Sequence, residues 1–281
     1  MEPAREIKVM GILNLTGDSY FADSRFLAAD GRPDIGAFLG RVRQMAAEGA
    51  DLLDIGACSS RPGAEPVSAE TEWSRLKPAL KALRAEFPDI TVSVDTWRAD
   101  ITERVHDLIG PFWINDISAG EDDPAMLATA GRLGLRYVAM HKRGTPRTMQ
   151  ALTDYALDPE RPDLSPVTAS VLGYFRDFAR RAAEAGIRDW VLDPGFGFAK
   201  TLEQNYQLLK ELGELTVLGR DILVGISRKS MIYKRFNITP EASLPATQVL
   251  HAEALRRGAS ILRVHDVAEA RRTVALYREL L

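Results

Sequence analysis

Residues 35–56, IGAFLGRVRQMAAEGADLLDIG, carry the reading that decides the fold class. Ile35, Phe38, Leu39, Val42, Met45 and Ala46 recur at the spacing of one helical face, and Gly49 stands where such a helix would stop. Directly after it, Leu52 to Gly56 is a short apolar run of strand length, the form expected of a strand buried on both faces. A helix of this kind feeding a strand of this kind is the repeating half of a parallel α/β fold.

The alternation extends in both directions. Further strand candidates are Lys8 to Asn14, Ile90 to Asp95, Trp113 to Ile117, Arg136 to His141, Trp190 to Asp193, Ile222 to Ser227 and Ser260 to His265, with segments of helical spacing between them. Ser165 before Pro166 reads as an N-cap and first helical residue, opening a helix expected to run to Ala185 and end at Gly186. Thr201 and Gln204 have capping-box spacing. Eight strands alternating with eight helices, without a low-complexity linker, predict an α/β chain folded as a (β/α)8 barrel in one domain over residues 1–281. An open parallel sheet is the alternative architecture.

Composition narrows the function classes. Apolar residues make up 46% and charged residues 27% of the chain, enough for a full core without disulfides or structural metal. A net charge of −3 argues against a nucleic-acid partner held by general electrostatics. Cys58 is the sole cysteine, so no intrachain disulfide can form, and a cytoplasmic location is the expectation. The first residues lack the apolar core of a signal peptide, and no apolar run has membrane-spanning length, so no membrane partner is expected.

The strands end in hydrogen-bonding chemistry: Asn14, Asp54, Asp95, Asn115 with Asp116, His141, Asp193, Ser227 to Ser230, and Arg263 with His265. Barrel active sites lie at the C-terminal ends of the strands, so these scattered residues would converge on one mouth. Asp95, Asn115 and Asp193 beside Lys229 form a set able to read the edge of a flat, nitrogen-rich heterocycle through paired hydrogen bonds. Arg61, Arg263 and His265, with the hydroxyls of Thr16 and Ser60, suit a phosphate or pyrophosphate. Each residue also admits a plainer role: Asp54, Asp95 and Asp193 as helix caps, the four histidines as structural side chains, and Arg228 with Lys229 as a solvated loop. It is the convergence that favours function.

Other chemistries are poorly served. Gly195 to Lys200, GFGFAK, lacks the third small residue of a dinucleotide fingerprint, and no P-loop, zinc spacing or serine-hydrolase elbow occurs. Any metal would be a hard, oxygen-liganded ion travelling with phosphates.

In chain order, the segments GILNLTGDS (11–19), SRPGAEPVS (60–68), SVDT (93–96), NDIS (115–118), LDPG (192–195), SRKS (227–230) and RVHD (263–266) together resemble dihydropteroate synthase. The resemblance implies condensation of 6-hydroxymethyl-7,8-dihydropterin diphosphate with 4-aminobenzoate, giving 7,8-dihydropteroate and pyrophosphate in folate biosynthesis. It implies that Asp95, Asn115, Asp193 and Lys229 hold the pterin, with Met140 and Phe198 flanking its ring and Arg263 stacking on it. Asn14 would bind an accompanying Mg²⁺. Ser60, Arg61, Arg263 and His265 would hold the pyrophosphate, while Arg61, Pro62, Lys229 and Ser230 would border the aminobenzoate. The resemblance further implies that Asp95, Asp193, Lys229, Arg263 and His265 would form the catalytic set, the two carboxylates favouring a cation on the pterin methylene after pyrophosphate departs. A homodimer and sensitivity to sulfonamides are also implied.

The chain departs from the family pattern at Gly17 (usually Pro), Tyr20 (Phe), Cys58 (Glu), Ser60 (Thr) and Ala199 (Gly). These changes are expected to alter discrimination between aminobenzoate and its sulfonamide mimics. The competing functions are a pterin-dependent methyltransferase barrel, which has no pyrophosphate to hold, and a pterin-binding paralogue without catalysis.

Overall fold

The computed structural model describes residues 6–16, 26–28, 31–59, 67–145 and 147–281. Eight parallel strands close into a barrel in chain order, β1 (Lys8–Asn14), β2 (Leu52–Gly56), β3 (Thr91–Asp95), β4 (Trp113–Asp116), β5 (Arg136–Met140), β6 (Trp190–Asp193), β7 (Asp221–Val224) and β8 (Ile261–Val264), with β8 paired back to β1. The expected (β/α)8 barrel is therefore the fold, and the open sheet is excluded by the β1–β8 ladder. Several strands are shorter than their apolar runs suggest, β7 ending at Val224 and β8 at Val264.

The first helix, α1 (Ile35–Ala47), buries Phe38, Val42 and Met45, and its Asp34 cap accepts from the Ala37 amide. It ends as its glycine predicts, with Gly49 at φ +91°. The helices α2 (Ala69–Glu86), α3 (Ala99–Ile109) and α4 (Met126–Leu133) follow the next three strands. Ser165 caps α5 (Pro166–Glu184), and Thr201 with Gln204 closes a reciprocal capping box on α6 (Leu202–Lys210).

One expectation fails between β7 and β8. Among the described residues that connection holds two helices, α7 (Ser230–Phe236) and α8 (Leu244–Arg256), rather than one. Asn237 ends α7 in the left-handed conformation at φ +51°, and Pro240 disfavours helix at the residue before it, so the segment cannot run on. The last helix is α9 (Val267–Glu279).

Strand periodicity explains what fills the barrel. Met10, Leu52, Val138, Val191, Leu223 and Ile261 form a small interior cluster packed beside Trp113, separate from the large core between strands and helices. Side chains two residues apart on a strand share a face. Continuing inward from that cluster therefore brings up Asp54, Met140, Asp193 and Arg263, and from Trp113 it brings up Asn115. An apolar floor thus supports a polar layer at the C-terminal end.

Candidate active site

Register sets the depth of the polar layer. Asn14 lies opposite Gly56, Gly56 opposite Asp95, and Asp95 opposite Asn115, so three candidate side chains stand at one level around the glycine. A Cβ on Gly56 would lie 3.6 Å from both Asn14 Oδ1 and Asp95 Cγ and 3.2 Å from Asp95 Cβ, so the missing side chain makes room for the other two. On the far side Met140 lies opposite Asp193.

Above this layer opens a cavity of about 430 Å³. Its lining brings together Asn14, Asp95, Phe198, Lys229, Ser230, Arg263 and His265, contributed by β1, β3, β8 and the segments after β6, β7 and β8. Thr16, Cys58 and Ser59 complete one wall. Asn115, Met140 and Asp193 are buried and do not themselves form the lining.

The charged groups hold one another. The Arg263 guanidinium donates from Nε to Asp54 Oδ2 at 2.7 Å and from Nη2 to Asp95 Oδ2 at 3.1 Å. Burial, opposed by Arg263 and aided by the neighbouring Asp54, pushes the Asp95 carboxyl up to about 7. Asp95 is no helix cap, since Arg98 holds that position before α3. Asp193 does serve its own turn, accepting from the Gly195 amide at 2.8 Å, while burial raises its carboxyl against the pull of Lys229.

Lys229 is half-buried and held in place rather than loose in solvent. Its Nζ donates to the Phe196 carbonyl at 2.6 Å and sits 4.9 Å from the Phe198 ring centre, and burial lowers it to about 8. Arg228, beside it, makes a bidentate pair with Asp266 at 2.6 and 2.8 Å. His265 Nδ1 lies 3.3 Å from Ser227 Oγ, and burial first, then Arg263, lowers it to about 4, so it faces the cavity neutral at pH 7. The mouth thus sets the buried Asp95 carboxylate against a cationic rim within one cavity, which suits a substrate with a hydrogen-bonding ring and an anionic tail.

Residues 10–265 match the family of pterin binding enzymes. The dihydropteroate synthase of Synechocystis sp. is 40% identical over 266 residues, spanning 92% of this chain and 85% of its own length. The chain belongs to the dihydropteroate synthase family. It is accordingly a transferase. The Escherichia coli dihydropteroate synthase is 38% identical across 93% of this chain and 87% of its own. The Yersinia pestis dihydropteroate synthase in a sulfonamide drug complex superposes with a TM-score of 0.88 at 35% identity, over 98% of this chain and 94% of that one. The Thermus thermophilus dihydropteroate synthase in complex with 4-aminobenzoate gives 0.82 at 36%, over 98% and 95%.

Of the residues that the dihydropteroate synthase resemblance singles out, Ser60, Arg61 and Pro62 lie outside the described residues, as do the departures at Gly17 and Tyr20. Cys58, where the family usually has Glu, lines the cavity; burial and the nearby Glu72 push its thiol up to about 12, which makes it a poor nucleophile. His106, His141 and His251 stay out of the lining, in line with structural roles.

Two residues gained no role from the sequence. Lys200, almost fully buried, donates to the carbonyls of Gly195 and Phe198 and contacts His141 Nδ1, each at 3.0 Å, and burial lowers it to about 7. It pins the turn that carries Phe196 and Phe198. In the GFGFAK segment the sequence singles out Phe198 and Ala199 and leaves this lysine without a role. Asp54, wholly buried among its donors, is the other.

Ala199 carries a cost. It is buried with φ +51°, a left-handed conformation that disfavours a Cβ by about 1–2 kcal/mol. Ala199→Gly is expected to raise stability by about 1 kcal/mol, read as an increased denaturant midpoint with an unchanged slope.

Proposed function

We propose that this barrel forms 7,8-dihydropteroate from 6-hydroxymethyl-7,8-dihydropterin diphosphate and 4-aminobenzoate, releasing pyrophosphate. One observation carries the reading: a single cavity joins a buried carboxylate, Asp95, to cations at its rim, Lys229 and Arg263, in a member of the dihydropteroate synthase family. Carboxylates without that rim would suffice to bind a pterin; the rim supplies a place for the diphosphate.

In the proposed reaction Asp95, Asp193 and the Asn115 amide accept hydrogen bonds from the pterin ring, whose faces meet Met140 and Phe198. The bond from the exocyclic methylene to the diphosphate oxygen breaks and its electron pair leaves with pyrophosphate. Asp95 and Asp193 stabilise the resulting cation, while Arg263 and the neutral His265 ring N–H receive the departing anion, with Ser60 and Arg61. The amine lone pair of 4-aminobenzoate, bordered by Arg61, Pro62, Lys229 and Ser230, then forms the carbon–nitrogen bond and releases a proton to solvent. Positioning and charge do the catalysis, and no covalent enzyme intermediate forms.

The donor set suits Mg²⁺. Asn14 offers an amide oxygen at the mouth, and the described residues contain no group of three His, Cys, Asp or Glu that could hold a resident metal. A hard cation arriving on a diphosphate needs little more from the protein. Bound there, it would neutralise charge on the leaving oxygens.

The deciding assay is pyrophosphate release from the pterin diphosphate with Mg²⁺, run with and without 4-aminobenzoate, beside an Asp95→Ala control. Pteroate formed by the native chain and lost in the variant supports the synthase. Pterin binding without release would instead indicate a non-catalytic paralogue.

A homodimer and a cytoplasmic location belong to the same proposal. Tyr206 on α6, Ile232 and Phe236 on α7, and Val249 and Leu250 on α8 line an apolar groove of about 700 Å³, with Phe236 59% and Val249 68% exposed. A second copy covering this face would remove it from water. Val249→Asp is expected to halve the mass seen by light scattering. A native chain that runs as a monomer at every concentration would argue against the dimer. Among the described residues no helix is long and apolar enough to cross a membrane.

A further inference from the structure

Asp54 gathers donors from three different side chains, Ser93, Asn115 and Arg263. It is wholly buried on β2, accepts Ser93 Oγ on Oδ1 at 2.6 Å, and accepts on Oδ2 from Asn115 Nδ2 at 3.0 Å and Arg263 Nε at 2.7 Å, with Arg263 Nη2 also 2.6 Å away. It has no exposed surface and both of its oxygens are already engaged by these donors, so it acts through them rather than by touching a ligand. Two of its three partner residues belong to different halves of the site. Asn115 belongs to the heterocycle-reading set, and Arg263 to the anion-holding set.

We propose that Asp54 is a positioning residue that fixes the Asn115 amide and the Arg263 guanidinium as one unit, so that pterin recognition and pyrophosphate capture are linked through a single carboxylate. The proposal rests on the synthase reading of the site. A free asparagine can flip to present either its oxygen or its nitrogen. With Nδ2 committed to Asp54, Oδ1 is left as an acceptor, and the site reads a donor on the ring at that point. The guanidinium is planar and rigid, so holding Nε and Nη2 on Asp54 also sets where Nη1 points. Nη2 is shared with Asp95 as well. A pterin that engages Asn115 and Asp95 therefore changes the surroundings of the guanidinium that must meet the pyrophosphate. Ser93, opposite Asp54 in the β2–β3 register, anchors the remaining oxygen.

The test is the coupling between two ligands. Dissociation constants of inorganic pyrophosphate are measured by calorimetry at fixed Mg²⁺, with and without saturating 6-hydroxymethylpterin. The native chain is expected to bind pyrophosphate about fivefold more tightly, or better, when the pterin is present. Asp54→Asn, which keeps the volume, is expected to reduce that ratio to about one and to lower kcat/KM for the pterin diphosphate about 100-fold, with the KM for 4-aminobenzoate within about threefold of native. A purely structural Asp54 would lower the melting temperature and leave the coupling ratio intact; that result overturns the proposal. Should Asp54→Asn not fold, Ser93→Ala removes one donor of the carboxylate and leaves the rest in place. It is expected to weaken the coupling in the same direction, and a native ratio in Ser93→Ala overturns the proposal equally. A native chain that binds both ligands with coupling but makes no pteroate would count against the synthase reading and leave the role of Asp54 standing.

Discussion

Arg263→Met is expected to cost the protein both stability and turnover, with a melting temperature lower by on the order of 5–10 °C. The side chain pairs with Asp54, which is wholly buried, and with Asp95, which is nearly so. Removing one partner of a buried ion pair leaves an uncompensated carboxylate and costs about 3–5 kcal/mol, unlike removal of the pair as a whole. Arg43 offers the comparison. Its pair with Glu86 joins two side chains on the surface, 57% and 34% exposed, so Arg43→Met should leave the melting curve where it is. Activity separates two contributions of Arg263. Lysine at the same place keeps the charge but cannot make two parallel contacts from one planar group. Arg263→Lys is therefore expected to recover part of the lost melting temperature while pteroate formation stays at least about 100-fold below native. Equal recovery of stability and turnover in the lysine variant would show that charge alone is needed there.

The barrel was legible because each of its strands announces itself twice. Leu52-Leu53-Asp54-Ile55-Gly56 is an apolar run that the helix stop at Gly49 delivers, and it is buried along its whole length. The connection after β7 was not legible in the same way. The apolar spacing continues through Ile232, Phe236 and Leu244, and only the conformation of Asn237 and the proline at 240 divide it into two helices. Periodicity registers which face is buried and is nearly blind to where a chain turns.

The site divides similarly. Asp95, Lys229, Arg263 and His265 could be named because each follows or closes a strand, and strand ends meet at a barrel mouth. The pairings among them could not. That Arg263 would lie against both Asp54 and Asp95 depends on β8 and β3 meeting across the barrel interior, a proximity between residues 168 positions apart. The signal for Asp54 was present all the same: a carboxylate inside an otherwise apolar, two-sided buried strand must find donors, since burying it without them is prohibitively costly. Lys200 carried the same kind of signal, a lysine in a glycine-rich turn next to a strand end.

Pterin affinity is expected to rise with pH through about 7 and to fall again beyond about 8. The first limb belongs to Asp95. Burial raises its carboxyl to about 7, and only the ionised form can accept hydrogen bonds on both oxygens from a pterin. Below that pH a proton must be expelled for the ligand to bind, so the dissociation constant of 6-hydroxymethylpterin should increase about tenfold per unit of acidification. The second limb belongs to Lys229, lowered by burial to about 8, whose loss of charge removes a donor beside Asp193. The ligand-free protein responds in the opposite sense on the acid side. A carboxyl whose folded pKa lies above its unfolded one stabilises the fold while protonated, and that contribution is lost as pH rises from about 4 to about 7. Pterin should therefore raise the melting temperature little at pH 6 and much more at pH 7.5. Calorimetric titration of 6-hydroxymethylpterin between pH 5.5 and 9 reads both limbs. Asp95→Asn should flatten the acid limb and Lys229→Gln the alkaline one, each leaving the other in place. A profile that stays level between pH 6 and 8 in the native chain would mean that Asp95 meets the pterin already protonated, as a donor, and the pattern of hydrogen bonds assigned to the ring would have to be reversed at that position.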